Sequence, residues 1–325
     1  MLNPADELPH PAPDPIPERW QENYFVLAHD RSRDAAFVLH LERFPDRGIV
    51  ETKVTVVLGD RLVSATTHAP LTEAPGTDAT QIHVVEPFHR WRVTHDGTGT
   101  LGRGPFGFVG EGFGPDAAVG FEVELDSPLG AIDHAEVLSA LSFPGTERDH
   151  YEACGTWHGT LRAGDERIEA EGLFVRDHTW GERQYARLSS AWWFPSCFDD
   201  GGTYLGGVVV RSESRTGGYA ILADRGGVEA TMDVELTATG VLAPQGYPTT
   251  TLVATFPERG VVTVDSTTRV HLPHHFPGFA PGYYTNDALS SLAWDDRSGF
   301  GPRELNSYLT SAEARMLARV VIDDP

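Results

Sequence analysis

The chain has 325 residues and a mass of 35.5 kDa, which is enough for two domains or one large β domain. Hydrophobic residues make up 40% of it and include seven Trp and sixteen Phe, so the chain can form a sizeable core and is not disordered. Its 25 basic and 47 acidic side chains give a net charge of −22, which excludes nucleic acids and anionic membrane surfaces as partners.

The proline-rich residues 1–17 predict a flexible leader. They have neither the basic start nor the apolar stretch of a signal peptide, and no run in the chain is long enough to span a bilayer. A soluble cytoplasmic protein is therefore expected. Cys154 and Cys197 lie far apart and outside any metal-ligand spacing. The only lysine, Lys53, lies in a strand-like run without a local sign of Schiff-base chemistry.

After Trp20 the chain consists of short apolar runs with period-two alternation, separated by Gly, Pro and Asp, and this pattern predicts β-strands. In the first half the runs cover residues 35–41, 49–58, 61–68, 81–85, 88–94 and 118–125. Gly59 and Asp60 predict a tight hairpin turn between two of them. The glycine-rich residues 97–114 predict a loop or a broken strand.

The second half has the same pattern of short apolar runs separated by turn residues, with a turn at residues 163–166. Its predicted strands cover residues 155–161, 167–174, 203–211, 218–223, 228–238, 250–256 and 260–271. Two halves of this kind predict an all-β protein of two tandem antiparallel barrels or sandwiches. One helix is predicted at the end, where apolar side chains recur at helical spacing over residues 305–320 after Pro302. It is expected to cover one barrel mouth or a sheet face.

Two motifs match known sites only by their letters. Residues 97–102 have the spacing of a dinucleotide fingerprint, but Arg103, Gly104 and Pro105 follow where that site needs a helix. A glycine-rich β connection is therefore predicted. His271, His274 and His275 could ligate zinc, but the prolines around them indicate an irregular loop, so no metal site is predicted.

The most informative segment is a strand end that delivers a dense polar group. After about Val175 come Arg176, Asp177, His178 and Trp180. Asp177 beside an arginine should stay ionised or could orient His178, and the flat ring of Trp180 could pack on an apolar ligand or stabilise a cation. Two interpretations stay open: a reactive corner, or a corner whose polar groups only satisfy each other's hydrogen bonds.

Aromatic side chains are concentrated shortly after this corner. The run consists of Trp192, Trp193, Phe194, Phe198 and Tyr204. Core packing is the favoured explanation for the run from Trp192 to Phe198, although the lining of a ligand cavity would use the same residue types.

The corner segment resembles a family signature. Residues 172–181 are similar to the G-x-x-x-[RD]-DH-[NST]-WG signature of the lipocalin-like family that includes the carotenoid 1,2-hydratases (hydroxyneurosporene synthases) and AttH-type proteins. Residues 20–25 are similar to the N-terminal segment of that family's actinobacterial-type branch. Only Asp177, His178, Trp180 and Gly181 match the family positions residue by residue, and the resemblance spans most of residues 18–310.

The resemblance implies two lipocalin-like barrels in tandem, joined near the signature, with a ligand cavity between or inside them. The expected domains are a leader at 1–17, an N-terminal β domain at 18–175 and a C-terminal β domain at 176–325 that includes the terminal helix. Known members of the family add water to hydrophobic polyenes or cyclise them without an organic cofactor. No cofactor and no metal are expected here.

The first functional hypothesis is a cofactor-independent hydratase, dehydratase or isomerase acting on a terpenoid, steroid or polyene-like molecule. In it Asp177 and His178 move the proton, with Glu182 as a second acid. His178 is the safer proton carrier, because neighbouring arginines oppose the raised pKa that Asp177 would need. The expected substrate-binding residues are Trp20, Trp180, Trp192, Trp193, Phe194 and Tyr204.

Two alternatives need no acid–base group. In a pericyclic cyclase, a shaped pocket would preorganise a polyene. In a non-catalytic carrier, the aromatic cavity would only hold a lipid-like molecule.

Overall fold

The computed structural model describes residues 2–17, 20–103, 114–140, 149–182, 190–211, 216–239, 249–275 and 283–308. The regular structure in these ranges is almost entirely antiparallel β, in two sheets. The first sheet consists of β1 (Trp20–Asp30), β2 (Ala35–Phe44), β3 (Ile49–Leu58), β4 (Arg61–Pro70), β5 (Thr80–Glu86), β6 (Arg90–Arg103), β7 (Asp116–Asp126), β8 (Ile132–Asp133), β9 (Asp149–Ala163) and β10 (Glu166–Glu182). One short helix, α1 (His134–Ala140), lies between β8 and β9, and a 3-10 helix spans Pro4–Glu7.

The second sheet follows along the chain. It consists of β11 (Ser190–Trp193), β12 (Ser196–Phe198), β13 (Thr203–Arg211), β14 (Thr216–Asp224), β15 (Gly227–Thr231), β16 (Val234–Thr239), β17 (Thr249–Phe256), β18 (Gly260–Val270), β19 (Pro273–His275), β20 (Tyr283–Trp294) and β21 (Arg297–Tyr308). A second 3-10 helix, Asp199–Gly201, connects β12 to β13.

The first sheet closes into a barrel. Strand β10 pairs with β1 on one side and with β9 on the other, so the order β10-β1-β2-β3-β4-β6-β7-β9 returns to its start. Tight hairpins hold the register, as at Gly59, whose φ of +60° is the left-handed conformation that glycine adopts without strain. The second sheet has the order β15-β14-β13-β11-β21-β20-β18-β17-β16 and curves around its own apolar core.

Period-two alternation produces three cores. Along β1, Tyr24 and Val26 point into the barrel, whereas Phe25 and Leu27 point outward to the second sheet. The outward set joins residues of the second sheet in an apolar layer between the two sheets. That layer includes Val38, Cys154, Val175, Cys197, Tyr204, Ile221, Leu289 and Phe300. The two cysteines are buried free thiols.

The lipocalin-like all-β prediction is confirmed, with local differences. Residues 97–103 continue β6 instead of forming a loop, and the strand predicted at 228–238 is divided into β15 and β16. His274 and His275 lie in β19, not in an irregular loop. The domain boundary expected after Val175 falls inside β10, which stays paired in the first sheet to Glu182.

The ends of the chain also differ from expectation. Where a C-terminal helix was predicted to begin, β21 continues through Pro302 to Tyr308, and the rest of that predicted helix lies outside the described residues. Residues 2–17, for which the sequence suggests a flexible leader, contact the barrel through Glu7, whose side chain is fully buried, and through His10. In the described ranges, no helix is long and apolar enough to cross a membrane.

Candidate functional site

The two predicted catalytic neighbours, Asp177 and His178, point to opposite faces of β10. His178 points into the barrel, where its ring stacks on Tyr24 at 4.0 Å between centroids. Asp177 points outward and accepts a 2.7 Å hydrogen bond from the Thr179 hydroxyl. Consecutive strand residues alternate between faces, so the two side chains cannot act as one pair. The interpretation in which Asp177 orients His178 is wrong.

His178 belongs to an inner cluster that fills one end of the barrel. This cluster consists of Glu7, His10, Glu22, Arg43, Arg176 and His178. The Glu22 carboxyl lies 3.0 Å from Nε2 of His178, 2.8 Å from Nδ1 of His10 and 3.1 Å from Nε of Arg43. Burial lowers the pKa of His178, which favours the neutral ring. Burial alone would raise the pKa of Glu22, but the hydrogen bonds from His10 and His178 lower it to about 2.

The leader closes this end of the barrel. Glu7 Oε1 accepts hydrogen bonds from the Phe88 amide at 2.7 Å and from Arg176 Nη2 at 2.9 Å, while Oε2 accepts one from the Trp91 indole. The Arg176 guanidinium also lies 3.8 Å from the centroid of the Trp91 ring. These contacts satisfy buried charges and join the leader to the barrel wall, so the inner cluster has the properties of a structural network.

Asp177 belongs to an outer cluster between the two sheets. This cluster consists of His134, His150, Glu152, Asp177 and Tyr204. In the register of β9 and β10, Asp177 is directly opposite Glu152. His150 Nε2 lies 3.3 Å from a carboxyl oxygen of each of these two residues, and so bridges them.

Glu152 is the centre of the outer cluster. Its side chain is fully buried, and it accepts hydrogen bonds from the Trp193 indole at 2.7 Å and from the Tyr204 hydroxyl. The side chains of His150 and Asp177 are 8% and 15% exposed, so they connect the buried carboxyl to the surface.

The hydrogen bonds around His134 define a relay. Its Nε2 lies 3.0 Å from the Tyr204 hydroxyl and its Nδ1 lies 3.1 Å from the Tyr219 hydroxyl. Burial and the charge of Glu152 raise the pKa of Tyr204 well above its usual value, so the phenol stays a donor. One arrangement fits all the groups: Tyr219 donates to His134, His134 donates to Tyr204, and Tyr204 donates to Glu152.

An aromatic wall separates the outer cluster from a second acid–base pair. Phe25 contacts the Trp193 ring at 5.2 Å and the His40 ring at 4.5 Å between centroids. His40 Nε2 in turn lies 2.9 Å from Oδ2 of Asp287, which comes from the second sheet. The layer between the sheets thus has titratable groups on both sides of a pair of aromatic rings.

The remaining predicted site residues divide between these regions. Trp193 and Tyr204 contact Glu152, whereas Trp180 stacks on His10 at 3.9 Å in the inner cluster. Phe194 is buried in the core of the second sheet, as core packing predicts. The other three lie apart from the outer cluster: Trp20 is buried at the start of β1 opposite Glu182, Glu182 is exposed, and Trp192 is half-buried on β11.

Within the described ranges, two sets of side chains have the geometry to hold a metal ion. His10, Glu22 and His178 form one, and His134, His150 and Glu152 form the other, with the ligand atoms of each set within 4.8 Å of one another. Two imidazoles and a carboxylate suit zinc or iron. Each set also contains a hydrogen bond or close contact between His and Glu, so hydrogen bonding alone accounts for the geometry.

Sequence reasoning missed Glu152, His150, His134 and the His40–Asp287 pair. A signal for the first two was present, because His150 and Glu152 alternate along a strand next to Asp177's strand and therefore share its outward face. His134 and Asp287 come from distant parts of the chain, and no local pattern connects them to β9.

The fold is shared with solved structures of low sequence identity. A putative AttH from Nitrosomonas europaea is 14% identical, with a TM-score of 0.67, and the alignment covers 95% of this chain and 97% of that one. CghA with Sch210972 is 11% identical, with a TM-score of 0.55 and coverage of 91% and 90%. Kievitone hydratase from Nectria haematococca is 9% identical, with a TM-score of 0.53 and coverage of 89% of each chain.

These similarities confirm the resemblance to AttH-type lipocalin-like proteins at the level of the fold, while the actinobacterial-type branch stays a prediction. A search of curated proteins gave no match. Residues 3–308 match the family described as domain of unknown function DUF7064. Because this match covers nearly the whole chain, the chain belongs to the DUF7064 family.

Proposed function

We propose that this chain is a cofactor-independent hydratase, dehydratase or isomerase for a hydrophobic small molecule, and that its acid–base chemistry takes place at the outer cluster. One observation carries the proposal: a fully buried carboxyl group, Glu152, accepts hydrogen bonds from Trp193 and Tyr204 and lies 3.3 Å from His150, which is equally close to the partly exposed Asp177. A carboxyl group in such surroundings can hold a proton next to an apolar substrate and recover it from solvent.

The hydration step balances with these groups alone. The acid gives a proton to one carbon of a double bond, and the positive charge develops on the other carbon. A water molecule forms the new C–O bond at that carbon and returns its extra proton to the cluster. Trp193, which donates to Glu152, and Phe25, which contacts the Trp193 ring, are aromatic surfaces that could stabilise the cation. Dehydration is the reverse, and isomerisation loses a different proton from the cation.

The proposal keeps one predicted residue and replaces another. Asp177 takes part in proton exchange with solvent through His150, which is 3.3 Å away. His178 acts instead as a structural partner of Glu22 inside the barrel. The apolar layer between the sheets favours a hydrophobic substrate, and a neighbour of the same fold is named a hydratase.

The test is a search for water addition. We would incubate the protein with a panel of prenylated phenols, terpenoids and steroid alkenes in heavy-oxygen water and record labelled products by mass spectrometry. We expect a labelled hydrate from wild type and a fall in turnover of about 100-fold or more for Glu152→Gln, because a positioned acid contributes at least that much. Glu124→Gln, an exposed carboxyl on β7, is the matched control and should keep full turnover.

The outcomes separate the alternatives. A cyclised product without label, formed equally by wild type and Glu152→Gln, would favour the pericyclic cyclase. Tight binding of a panel member without any product would favour a carrier. Either result would contradict the acid–base proposal, as would full hydration activity in Glu152→Gln.

A further inference from the structure

The second sheet contains a buried cation of a different kind from the others. Three arginines are buried in the described residues: Arg43, Arg176 and Arg303. Arg43 pairs with Glu22, and Arg176 pairs with Glu7. Arg303, which is 2% exposed, forms no ion pair with any described residue. Burying a charge without a counter-charge is costly, so this guanidinium needs an explanation.

One edge of Arg303 is hydrogen-bonded, and the other edge is buried without a partner. Its Nη1 donates to the Ser196 hydroxyl at 3.2 Å and to the Pro302 carbonyl at 2.9 Å. Its Nε and Nη2 atoms have no hydrogen-bond partner in the part of the chain that the structure describes. These two nitrogens form the side-on edge of the guanidinium, which presents two parallel N–H groups at the spacing of carboxylate oxygens.

The arginine points to the core of the second sheet. Phe300 belongs to the layer between the sheets, and Arg303, an odd number of residues further along β21, points to the opposite face. The residue directly across the ladder on β20 is Ala288, and Ser290 follows it on the same face. The side chains next to Arg303 on β20 are therefore short.

Burial also acts on the ionisation of Arg303. It lowers the pKa of this guanidinium to about 9, whereas Glu7 and Tyr151 overcome the same effect of burial at Arg176 and raise its pKa. An anion bound to Arg303 would supply a counter-charge, as Glu7 does for Arg176.

We propose that the inner face of the second sheet is a binding site for a small molecule with a carboxylate, which Arg303 holds through Nε and Nη2 while Ser196 fixes its other edge. This site lies on the opposite face of the sheet from the outer cluster and is independent of the proposed hydration chemistry. The ligand class is an organic acid with an apolar body, because the Arg303 guanidinium borders an apolar core that includes Phe194 and Leu205.

The test compares an acid with its neutral analogue. Hexanoate at saturating concentration should raise the melting temperature of the wild-type protein by about 2 °C or more, because a ligand that binds only the folded state stabilises it. Hexanamide has the same size without the charge and should have no effect. The dissociation constant of hexanoate, measured by calorimetry, should rise about tenfold or more in Arg303→Met.

The variants distinguish binding from a structural role. Arg303→Met should leave the melting temperature of the unliganded protein unchanged or higher, because it removes a buried charge that has no partner. Arg303→Lys and Ser196→Ala should fold and bind hexanoate more weakly, since the first lacks the fork and the second loses its anchor. Arg297→Met, at a half-exposed position on the same strand, should bind hexanoate as wild type does.

Three results would overturn the proposal. One is an equal rise with hexanamide or with sodium chloride of the same ionic strength. Another is undiminished hexanoate binding in Arg303→Lys and Arg303→Met. The third is a large loss of stability in unliganded Arg303→Met, which would show that the guanidinium stabilises the fold by itself. None of these results depends on whether hydratase activity is found.

Discussion

At the scale of single residues, two adjacent side chains belong to different clusters because they point to opposite faces of β10. Asp177 and His178 are adjacent in the chain, but one lies beside His150 between the sheets and the other beside Glu22 inside the barrel. The inner cluster is buried except for the partly exposed His10, and its central carboxyl group, that of Glu22, holds its charge against burial. Glu22 is therefore expected to contribute to stability rather than to catalysis.

This role predicts a pH-dependent loss of stability in Glu22→Gln. The pKa of Glu22 in the folded protein is about 2, against a usual value of 4.5. The stabilisation is fully present above the usual value and is lost as the pH falls from there towards 2. A shift of this size corresponds to about 3 kcal/mol at neutral pH. Urea unfolding of wild type and Glu22→Gln should differ by about that amount at pH 7 and converge on acidification.

An exposed carboxyl provides the comparison. Glu169→Gln, on the outside of β10, should change the free energy of unfolding by no more than about 0.5 kcal/mol, both at pH 7 and at pH 3. If the difference between wild type and Glu22→Gln were the same at pH 3 as at pH 7, the ionised form would not be what stabilises the barrel.

Sequence reasoning reached part of this residue-level picture. It selected Asp177 and Trp193, which lie at the outer cluster, because polar and aromatic residues are concentrated around the end of β10. It treated Asp177 and His178 as one pair, although alternation along a strand already predicts opposite faces. Glu7 could not be found this way, because its partner Arg176 is 169 positions further along the chain.

At the scale of elements, the leader is part of the barrel rather than an appendage. A 3-10 helix at Pro4–Glu7, capped by the Asn3 side chain, brings the Glu7 carboxyl to the buried Arg176. The helix is too short to be stable alone, so the ion pair and the Trp91 hydrogen bond must hold it in place. This explains how a proline-rich segment that reads as flexible becomes ordered.

The contact between the leader and the barrel predicts that a single variant loses more stability than the double variant. Glu7→Leu should cost about 3–5 kcal/mol in the free energy of unfolding, because it leaves Arg176 buried without a counter-charge. The double variant with Arg176→Met should recover part of this loss, since no unpaired charge then remains. Urea unfolding measures both. Asp6→Asn, at a partly exposed carboxyl of the same helix, should stay within about 1 kcal/mol of wild type.

A double variant no more stable than Glu7→Leu would show that Arg176 is satisfied by Tyr151 and the Trp91 ring, and that the leader adds little.

Elements were predictable where their causes are local. The hairpin at Gly59 follows from a turn residue between two alternating runs, and β3 has the predicted bounds Ile49–Leu58. The end of β21, where a C-terminal helix was predicted to start, could not be predicted, because Leu305 and Tyr308 fit a helical period as well as a strand. Pairing of β21 with β20 decides in favour of the strand, and this contact is not visible in the local sequence.

At the scale of the whole molecule, the two sheets share a layer of apolar side chains, and the proposed active site lies at one end of it. His134 and Glu152 belong to the first half of the chain, while Tyr204, Tyr219 and Trp193 belong to the second. The outer cluster is therefore complete only when the sheets are docked. Composition and strand pattern predicted two β halves, but they contain no information on which faces meet.

Docking can be measured through the His40–Asp287 pair, which joins β2 to β20 across the layer at 2.9 Å. A double-mutant cycle with His40→Phe and Asp287→Asn should give a coupling free energy of about 1.5–3 kcal/mol, as expected for a buried hydrogen bond to a charged group. The Arg259–Asp224 pair within the second sheet is more exposed. The cycle with Arg259→Gln and Asp224→Asn should therefore give less than about 1 kcal/mol.

Additive effects of His40→Phe and Asp287→Asn would mean that these side chains do not meet in solution. The arrangement of the two sheets, and with it the assembly of the outer cluster, would then be wrong.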